Sequence, residues 1–172
     1  IELAVRQLRT RRDVLDPGGE LADAIADAIA DTVPLIYGGG ELGGVAAARW
    51  KNQVNENAQS PAFYNEMPEL CHNELAGWGA SRGGAEGLSV IQLRHDHEHP
   101  QIARRFEYTA DAISSAVAGI HSVQADGVGQ LAQLFDLMFV GDQVSLHLAA
   151  ARDVDPGPIA VLDDLKRVLA PG

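Results

Sequence analysis

The sequence lacks the features that anchor a protein in a membrane or stabilise it with disulfides. Its one cysteine is Cys71, which excludes a disulfide within the chain and suits a reducing compartment such as the cytoplasm. No apolar run approaches the roughly 18 residues that a membrane-spanning helix requires, and no signal peptide is recognisable. We therefore expect a cytoplasmic protein that does not contact a membrane.

Basic residues are scarce as well. The chain has 13 lysines and arginines against 24 aspartates and glutamates, a net charge of −11. A nucleic-acid surface needs clustered basic side chains to neutralise phosphates, so the composition argues against nucleic acid as a partner. The chain has two lysines, Lys51 and Lys166. A lysine that is retained in such a background is a candidate for a specific role.

What the sequence does contain is enough apolar material for one folded domain, with 172 residues, 46% of them hydrophobic and 22% charged. Short apolar runs predict strands at 35–37, 62–64, 88–93 and 120–123. Apolar periodicity and turn residues predict helices at 1–12, 20–31, 41–57, 69–74, 100–118, 131–151 and 158–169. Strands that alternate with helices across short loops indicate an α/β protein, with a parallel sheet that is covered by helices on both faces.

The stretch 49–74 is dense in polar side chains, yet it also contains Trp50 and two short apolar islands. An unpaired amide costs about 1–3 kcal/mol when it is buried, so these polar groups cannot all lie in a core. We interpret the stretch as the wall of a cleft that binds a polar ligand. The aromatic residues Tyr37, Trp50 and Tyr64 are expected in the core.

Glu56 and His72 are the main candidates for acid–base chemistry. Glu56 lies near the C-terminal end of the predicted helix 41–57, where the helix dipole makes a carboxylate more basic; the alternative is a solvated glutamate. His72 opens the second strand-to-helix turn and can carry protons near neutral pH; the alternative is a surface or core histidine. Ligands of open α/β sheets bind outside the carboxyl ends of the strands. We expect four side chains to crowd together there, namely Glu56, Glu69, His72 and Glu74.

Three other patterns point less firmly to chemistry. The glycines at 38–40 lie between a strand and a helix and could bind an anion. Because the phosphate motif is incomplete, we favour a tight connection between the strand and the helix.

His95, His97 and His99 could bind a metal. No second cluster completes a metal site, so we favour a solvated loop. Cys71 is disfavoured as a nucleophile, since its histidine neighbour would point away from it on a helix. We expect no metal and no cofactor.

Two motifs in the chain are quite specific: Asn-Glu-Asn-Ala at 55–58 and His-Asn-Glu at 72–74. Shorter matching segments lie at 34–38, 49–53, 61–63, 69–70, 89–91, 98–100, 141–145, 154–156 and 164–166. Together they resemble the C-terminal half of the bifunctional phosphoglucose/phosphomannose isomerases of archaea and bacteria, which consist of two sugar isomerase (SIS) domains. The resemblance implies a three-layer, flavodoxin-like parallel sheet. It divides the chain into entry helices or a linker at 1–32 and the C-terminal SIS domain at 33–172, with the N-terminal SIS domain missing.

The resemblance also implies roles for three residues. Glu56 matches the glutamate that moves a proton between C1 and C2 of the sugar through a cis-enediol(ate). His72 matches a histidine that helps to open the sugar ring and acts in the active site of the neighbouring subunit. Lys166 matches a lysine that contacts the ring oxygen or the sugar. The implied protein is a homodimer that interconverts glucose 6-phosphate or mannose 6-phosphate with fructose 6-phosphate, in glycolysis and gluconeogenesis.

Two departures from the family pattern are expected to matter differently. Gln59 stands where many relatives are expected to have a lysine, which we interpret as a surface change. The N-terminal SIS domain, which in the family supplies the Ser/Thr-rich phosphate pocket, is absent, so this chain alone is expected to bind phosphosugar poorly and to turn over little. The alternative to an enzyme is a non-catalytic, SIS-type module that binds a phosphosugar or regulates. The enzyme hypothesis predicts that Glu56, His72 and Lys166 converge in one crevice, within one chain or across a dimer. The module is favoured if they do not converge or if the missing half also lacks its phosphate loop.

Overall fold

Four parallel strands and seven α-helices make up the part of the chain that the computed structural model describes, which is residues 1–15, 20–79 and 84–170. The strands are β1 (Val33–Gly39), β2 (Phe63–Met67), β3 (Leu88–Arg94) and β4 (Gly119–Gln124). The helices are α1 (Glu2–Leu15), α2 (Glu20–Ile29), α3 (Gly40–Asn57), α4 (Glu74–Gly79), α5 (Pro100–Ile113), α6 (Gln130–Ala151) and α7 (Ala160–Leu169), and a short 3-10 helix spans Glu69–Cys71.

The sheet has the strand order β2-β1-β3-β4, and all three pairings are parallel. Leu35 of β1 pairs with Phe63 on one side and with Val90 on the other. The two central strands, β1 and β3, are buried along nearly their whole length because helices cover both faces. The predicted parallel α/β architecture is therefore confirmed.

The core lies in two layers, one on each face of the sheet. On one face α2, α3 and α6 pack on Ile36 and Ile91, and the indole Nε1 of buried Trp50 donates to the carbonyl of Leu137, 2.7 Å away. On the other face Tyr37 packs with Phe106 of α5. These clusters form the three layers that the resemblance implied.

The longest helix, α6, has the length and composition of a membrane-spanning helix, but ten of its residues are buried within the fold. It packs against α1, α2 and α3. Its buried Asp136 accepts two hydrogen bonds from the guanidinium of Arg11, at 2.8 and 2.7 Å, which joins α1 to α6. The apolar character of α6 is therefore explained by its central place in the fold.

Three local predictions differ from the structure. The helix α5 ends at Ile113 rather than near 118, and the amide of Ala118 donates to the carbonyl of Leu88 as the chain enters β4. The predicted helix 69–74 is a 3-10 turn followed by α4. Tyr64 is 43% exposed because β2 is an edge strand, so its assignment to the core was wrong, whereas Tyr37 and Trp50 are fully buried as predicted.

Candidate functional site

The parallel sheet has two ends. We call them the carboxyl edge, where the strands end, and the amino edge, where the strands begin. The helix α3 starts at the carboxyl edge, directly after β1, and packs back along the sheet. Glu56 is sixteen residues into this helix, which at 1.5 Å per residue is about 24 Å from its start. Glu56 therefore lies at the amino edge, and it is exposed there.

The residues on either side of Glu56 fix the end of α3. The side-chain amide of Asn55 donates to the carbonyl of Ser60 at 2.8 Å. The amide of Asn57 donates to Gln53 at 3.1 Å and to the hydroxyl of Ser145 at 2.8 Å, which ties the helix end to α6. Because Asn55 bonds the backbone beyond the helix and Asn57 bonds side chains of α3 and α6, the carboxylate of Glu56 projects from a firmly held helix end.

His72 lies at the opposite edge of the sheet from Glu56. It caps the 3-10 helix that follows β2, and it is exposed at the carboxyl edge. The prediction that Glu56 crowds together with His72, Glu69 and Glu74 is wrong for a single chain. Glu56 precedes β2 and the other three follow it, and a helix between parallel strands returns the chain to the edge where strands begin.

The segment that carries His72 is tied to the sheet through Glu74. The carboxylate of Glu74 accepts a hydrogen bond from the phenol of Tyr37 in β1 and another, at 2.6 Å, from the amide of Asn65 in β2. Burial raises the pKa of Tyr37, and the bond to the Glu74 carboxylate raises it further. The phenol therefore stays protonated and donates, and it holds the turn against the end of β1.

Lys166 lies on α7, and its ammonium contacts the carboxylate of Asp163 at 3.0 Å. Its side chain is 75% exposed, and no residue of α7 is buried. The chain reaches α7 from the end of α6, where Arg152 binds the carbonyls of Ala30 and Thr32, just before β1 begins. The structure therefore starts α7 at the amino edge, the edge of Glu56, although the Glu56 and Lys166 side chains do not meet.

A cavity of about 610 Å³ opens at the carboxyl edge between β1 and β3. It lies where the strand order reverses, the usual place for a ligand in an open α/β sheet. It is lined by Gly39, Gly40, Glu41, Leu42, Val45, His95, His97, Glu98, His99, Ile102, Gln130, Leu131 and Leu134. The lining includes no residue of the polar stretch 49–74 and none of the three predicted catalytic residues.

The three histidines of this cavity have different environments. His95 is 6% exposed, its Nε2 lies 2.9 Å from the carbonyl of Gly39, and its buried Nδ1 has no partner among the described residues. The His97 ring stacks on that of His95, with 6.5 Å between the centroids, and His99 accepts from the amide of Gln101 as the N-cap of α5. Within 1–15, 20–79 and 84–170, no group of three His, Cys, Asp or Glu side chains is arranged to hold a metal ion.

The glycine turn after β1 is a tight connection, as predicted. A Cβ at Gly38 would lie 2.1 Å from the carbonyl oxygen of Gly43, and Gly40 has a positive φ of 61°. These two positions require glycine for close approach and for backbone conformation.

The thiol of Cys71 contacts the sulfur of Met67, the last residue of β2, at 3.5 Å. Within the described residues, the structure gives Cys71 no histidine partner.

Sequence reasoning missed how the segment 141–145 supports Glu56. A Cβ at Gly141 would lie 2.4 Å from the indole of Trp50, so the glycine allows α6 to approach α3. Asp142 binds the guanidinium of Arg49 through two hydrogen bonds, at 3.0 and 2.8 Å. The signal for this interface was that both segments carry the family resemblance, but nothing in the sequence indicated that they meet.

A family profile described as the bacterial phospho-glucose isomerase C-terminal SIS domain matches residues 19–169. The bifunctional phosphoglucose/phosphomannose isomerase of Caldicellulosiruptor bescii is 35% identical over 150 residues, which are 87% of this chain and 44% of that protein. Proteins with the same description from Aquifex aeolicus and Thermoplasma acidophilum are 31% and 32% identical, over 84% and 89% of this chain and 45% and 48% of their own. The chain spans about half the length of the curated relatives it matches.

Solved structures share the fold. A glucose-6-phosphate isomerase like protein from Thermus thermophilus has a TM-score of 0.75 at 22% identity, over 97% of this chain and 55% of its own. The sugar isomerase domain of an RpiR transcription factor from Sphaerobacter thermophilus has a TM-score of 0.61 at 16% identity, over 95% of this chain and 94% of its own. At these identities the likeness shows the architecture alone.

Proposed function

The chain belongs to the family of bacterial phospho-glucose isomerase C-terminal SIS domains, and from this we propose that it is the C-terminal half of a cytoplasmic glucose-6-phosphate/mannose-6-phosphate isomerase. Four curated relatives, 31–35% identical to this chain, are described as bifunctional phosphoglucose/phosphomannose isomerases. The observation that carries the proposal is the end of α3, where Asn55 and Asn57 hold the backbone and leave the Glu56 carboxylate exposed.

In the proposed reaction Glu56 acts as the general base. It takes the proton from C2 of the open-chain aldose and returns it to C1, while the proton of the C2 hydroxyl passes to the C1 oxygen; the product is fructose 6-phosphate. The exposed carboxylate of Glu56 can reach a bound sugar and act as a general base on a carbon acid. The chemistry needs one base at carbon and an acid–base group for ring opening.

We assign ring opening to His72, contributed by a second copy of the chain. Glu56 and His72 flank β2 at opposite edges of the sheet, so one chain cannot bring both to one sugar. A two-fold symmetric dimer can place the carboxyl edge of one chain beside the amino edge of the other. The anchoring of His72 by Glu74 and Tyr37 supports this assignment, because a group that acts across an interface must project from a rigid turn.

We assign Lys166 to contact with the ring oxygen or the sugar, from a helix that is covered in the full-length protein. The helix α7 has a stripe of exposed apolar side chains along one side, namely Val161, Leu162, Leu165, Val168 and Leu169. Such a stripe requires a partner surface. Because the curated relatives are about twice as long as this chain, we propose that their N-terminal SIS domain is that partner and supplies the phosphate pocket.

The test is the conversion of fructose 6-phosphate to glucose 6-phosphate and mannose 6-phosphate by the full-length gene product. Glu56→Gln keeps the shape of the side chain and removes the base, so we expect activity to fall by about 10²–10⁴-fold. Glu107→Gln, an exposed glutamate on α5, is the matched control and should keep full activity. A folded wild-type protein that converts neither sugar would overturn the proposal.

A second candidate function is a non-catalytic module that binds a phosphosugar. The observation that favours it is the cavity at the carboxyl edge, which lies away from Glu56, His72 and Lys166. The fold also occurs as the sugar isomerase domain of a transcription factor. Calorimetry with fructose 6-phosphate on the full-length protein decides between the two: binding without conversion, lost on His95→Phe and kept on Glu56→Gln, would favour the module.

A further inference from the structure

Gln59 links the end of α3 to the segment that begins α7. It lies two residues beyond the last residue of α3 and three beyond Glu56, at an exposed position with a φ of +46°. Its side-chain amide donates to the carbonyl of Asp155 at 3.2 Å and to that of Pro158 at 3.1 Å. A non-glycine residue adopts such a positive φ rarely, so the backbone holds Gln59 in an uncommon conformation that makes both bonds.

This link matters because, apart from the partner surface proposed for its apolar stripe, little else in this chain holds α7. No residue of α7 is buried, and its side-chain ion pairs, Lys166 with Asp163 and Arg167 with Asp164, lie within the helix. Among the residues that the structure describes, both hydrogen bonds that join 155–169 to the rest of the protein come from Gln59. Within this chain, one side chain therefore fixes where α7 starts at the amino edge.

We propose that Gln59 is a positioning residue that keeps Lys166 on the same side of the site as Glu56. The inference rests on the proposed isomerase function and adds to it a residue that the sequence marked as a mere surface change. A lysine at this position would also carry several N–H donors and could bind two carbonyl oxygens. Glutamine and lysine thus perform the same task, and a residue without a donor cannot.

The test compares three substitutions in the full-length gene product. Gln59→Lys keeps donors, Gln59→Ala removes them, and Gln59→Glu keeps the shape but turns acceptors toward two carbonyls. We expect Gln59→Glu to lower kcat/KM by about 10–100-fold, the usual cost of a misplaced catalytic group, and Gln59→Lys to stay within about twofold of wild type. Gln101→Glu, an exposed glutamine at the other edge, is the control and should change nothing.

Combining Gln59→Glu with Lys166→Ala distinguishes a role in positioning Lys166 from a role in stabilising the fold. If Gln59 acts through Lys166, the double variant should have the kcat/KM of Lys166→Ala alone, within about twofold. If the two losses multiply, the positioning role is wrong. This cycle distinguishes a residue that positions Lys166 from one that only stabilises the fold.

Hydrogen exchange provides a readout that does not depend on activity. Gln59→Glu should speed exchange of the amides of 160–169 while those of β1 and β3 are unchanged. If the wild-type protein lacks isomerase activity, the proposed function fails, and the exchange result still decides whether Gln59 holds α7. Exchange of 160–169 that is the same in Gln59→Glu and wild type would overturn the proposal.

Discussion

The two edges of the sheet differ in what they offer a ligand. The carboxyl edge has a formed cavity, a tight glycine turn and His72 on an anchored turn. The amino edge has Glu56 on a fixed helix end and α7 with all of its side chains exposed. Ligands of open α/β sheets usually bind at the carboxyl edge. The family motif that contains the proposed base, Glu56, lies at the amino edge. The proposed site would use both edges, each from a different chain.

The largest effect is expected where α3 packs on α6. Trp50→Ala removes a fully buried side chain between α3 and α6 and should lower the free energy of unfolding by about 3–5 kcal/mol. Denaturant unfolding measures it, with the exposed Tyr108→Ala as a control that stays near wild type. A loss as small as that of the control would show that the Trp50 contact does not hold α3 on α6.

Glu74→Gln should loosen the carboxyl edge and leave the amino edge intact. The substitution replaces the carboxylate that accepts hydrogen bonds from Tyr37 and Asn65. We therefore expect the free energy of unfolding to fall by about 1–3 kcal/mol. Hydrogen exchange should speed up in 69–79 and stay unchanged in 52–58. Equal changes in both segments would mean that the two edges are coupled rather than independent.

Stability should fall at alkaline pH because of Tyr37 at the carboxyl edge. Its pKa is raised above the ordinary value of 10.0, chiefly by burial, so above that pH the unfolded chain loses a proton that the native state keeps. The stability that this group contributes is present below pH 10 and is lost as pH rises, by up to about 1.4 kcal/mol per pH unit. Unfolding from pH 9 to 11 measures the slope, and Tyr37→Phe should flatten it. An unchanged slope in that variant would assign the effect elsewhere.

The smallest effect is expected from Arg49→Ala. Arg49 and Asp142 join α3 to α6 near the middle of both helices, but their side chains are 39% and 28% exposed. Solvent screens such pairs, so the free energy of unfolding should fall by no more than about 1 kcal/mol. A loss as large as that of Trp50→Ala would mean that this ion pair, rather than packing, supports the end of α3.

Much of the fold could be predicted because it depends on local patterns. Buried parallel strands appear in the sequence as apolar runs, and β1 and β3 were located in this way. The turn at 38–40 was located from its glycines. Tyr64 was misassigned because an apolar side chain on an edge strand has the same sequence signature as one in the core. The end of α5 was misplaced because a hydrogen bond from Ala118 to β3, not local propensity, decides where the chain turns.

The candidate site was harder to predict because its contacts are distant in sequence. Gln59 reaches carbonyls 96 and 99 residues away, and Tyr37 reaches Glu74 across 37 residues. Periodicity reports which face of an element is apolar but not which polar groups meet. Glu56 and His72 were placed together because both adjoin β2, although they adjoin opposite ends of it.

Subunit mixing measures whether Glu56 and His72 act together from different chains. Glu56→Gln and His72→Ala full-length proteins should each be nearly inactive. Mixed dimers then contain one site with both residues intact, so random mixing by unfolding and refolding should restore about one quarter of wild-type activity in a two-fold dimer. If the mixture stays as inactive as its parents while mixed dimers are shown to form, Glu56 and His72 do not share a site between chains.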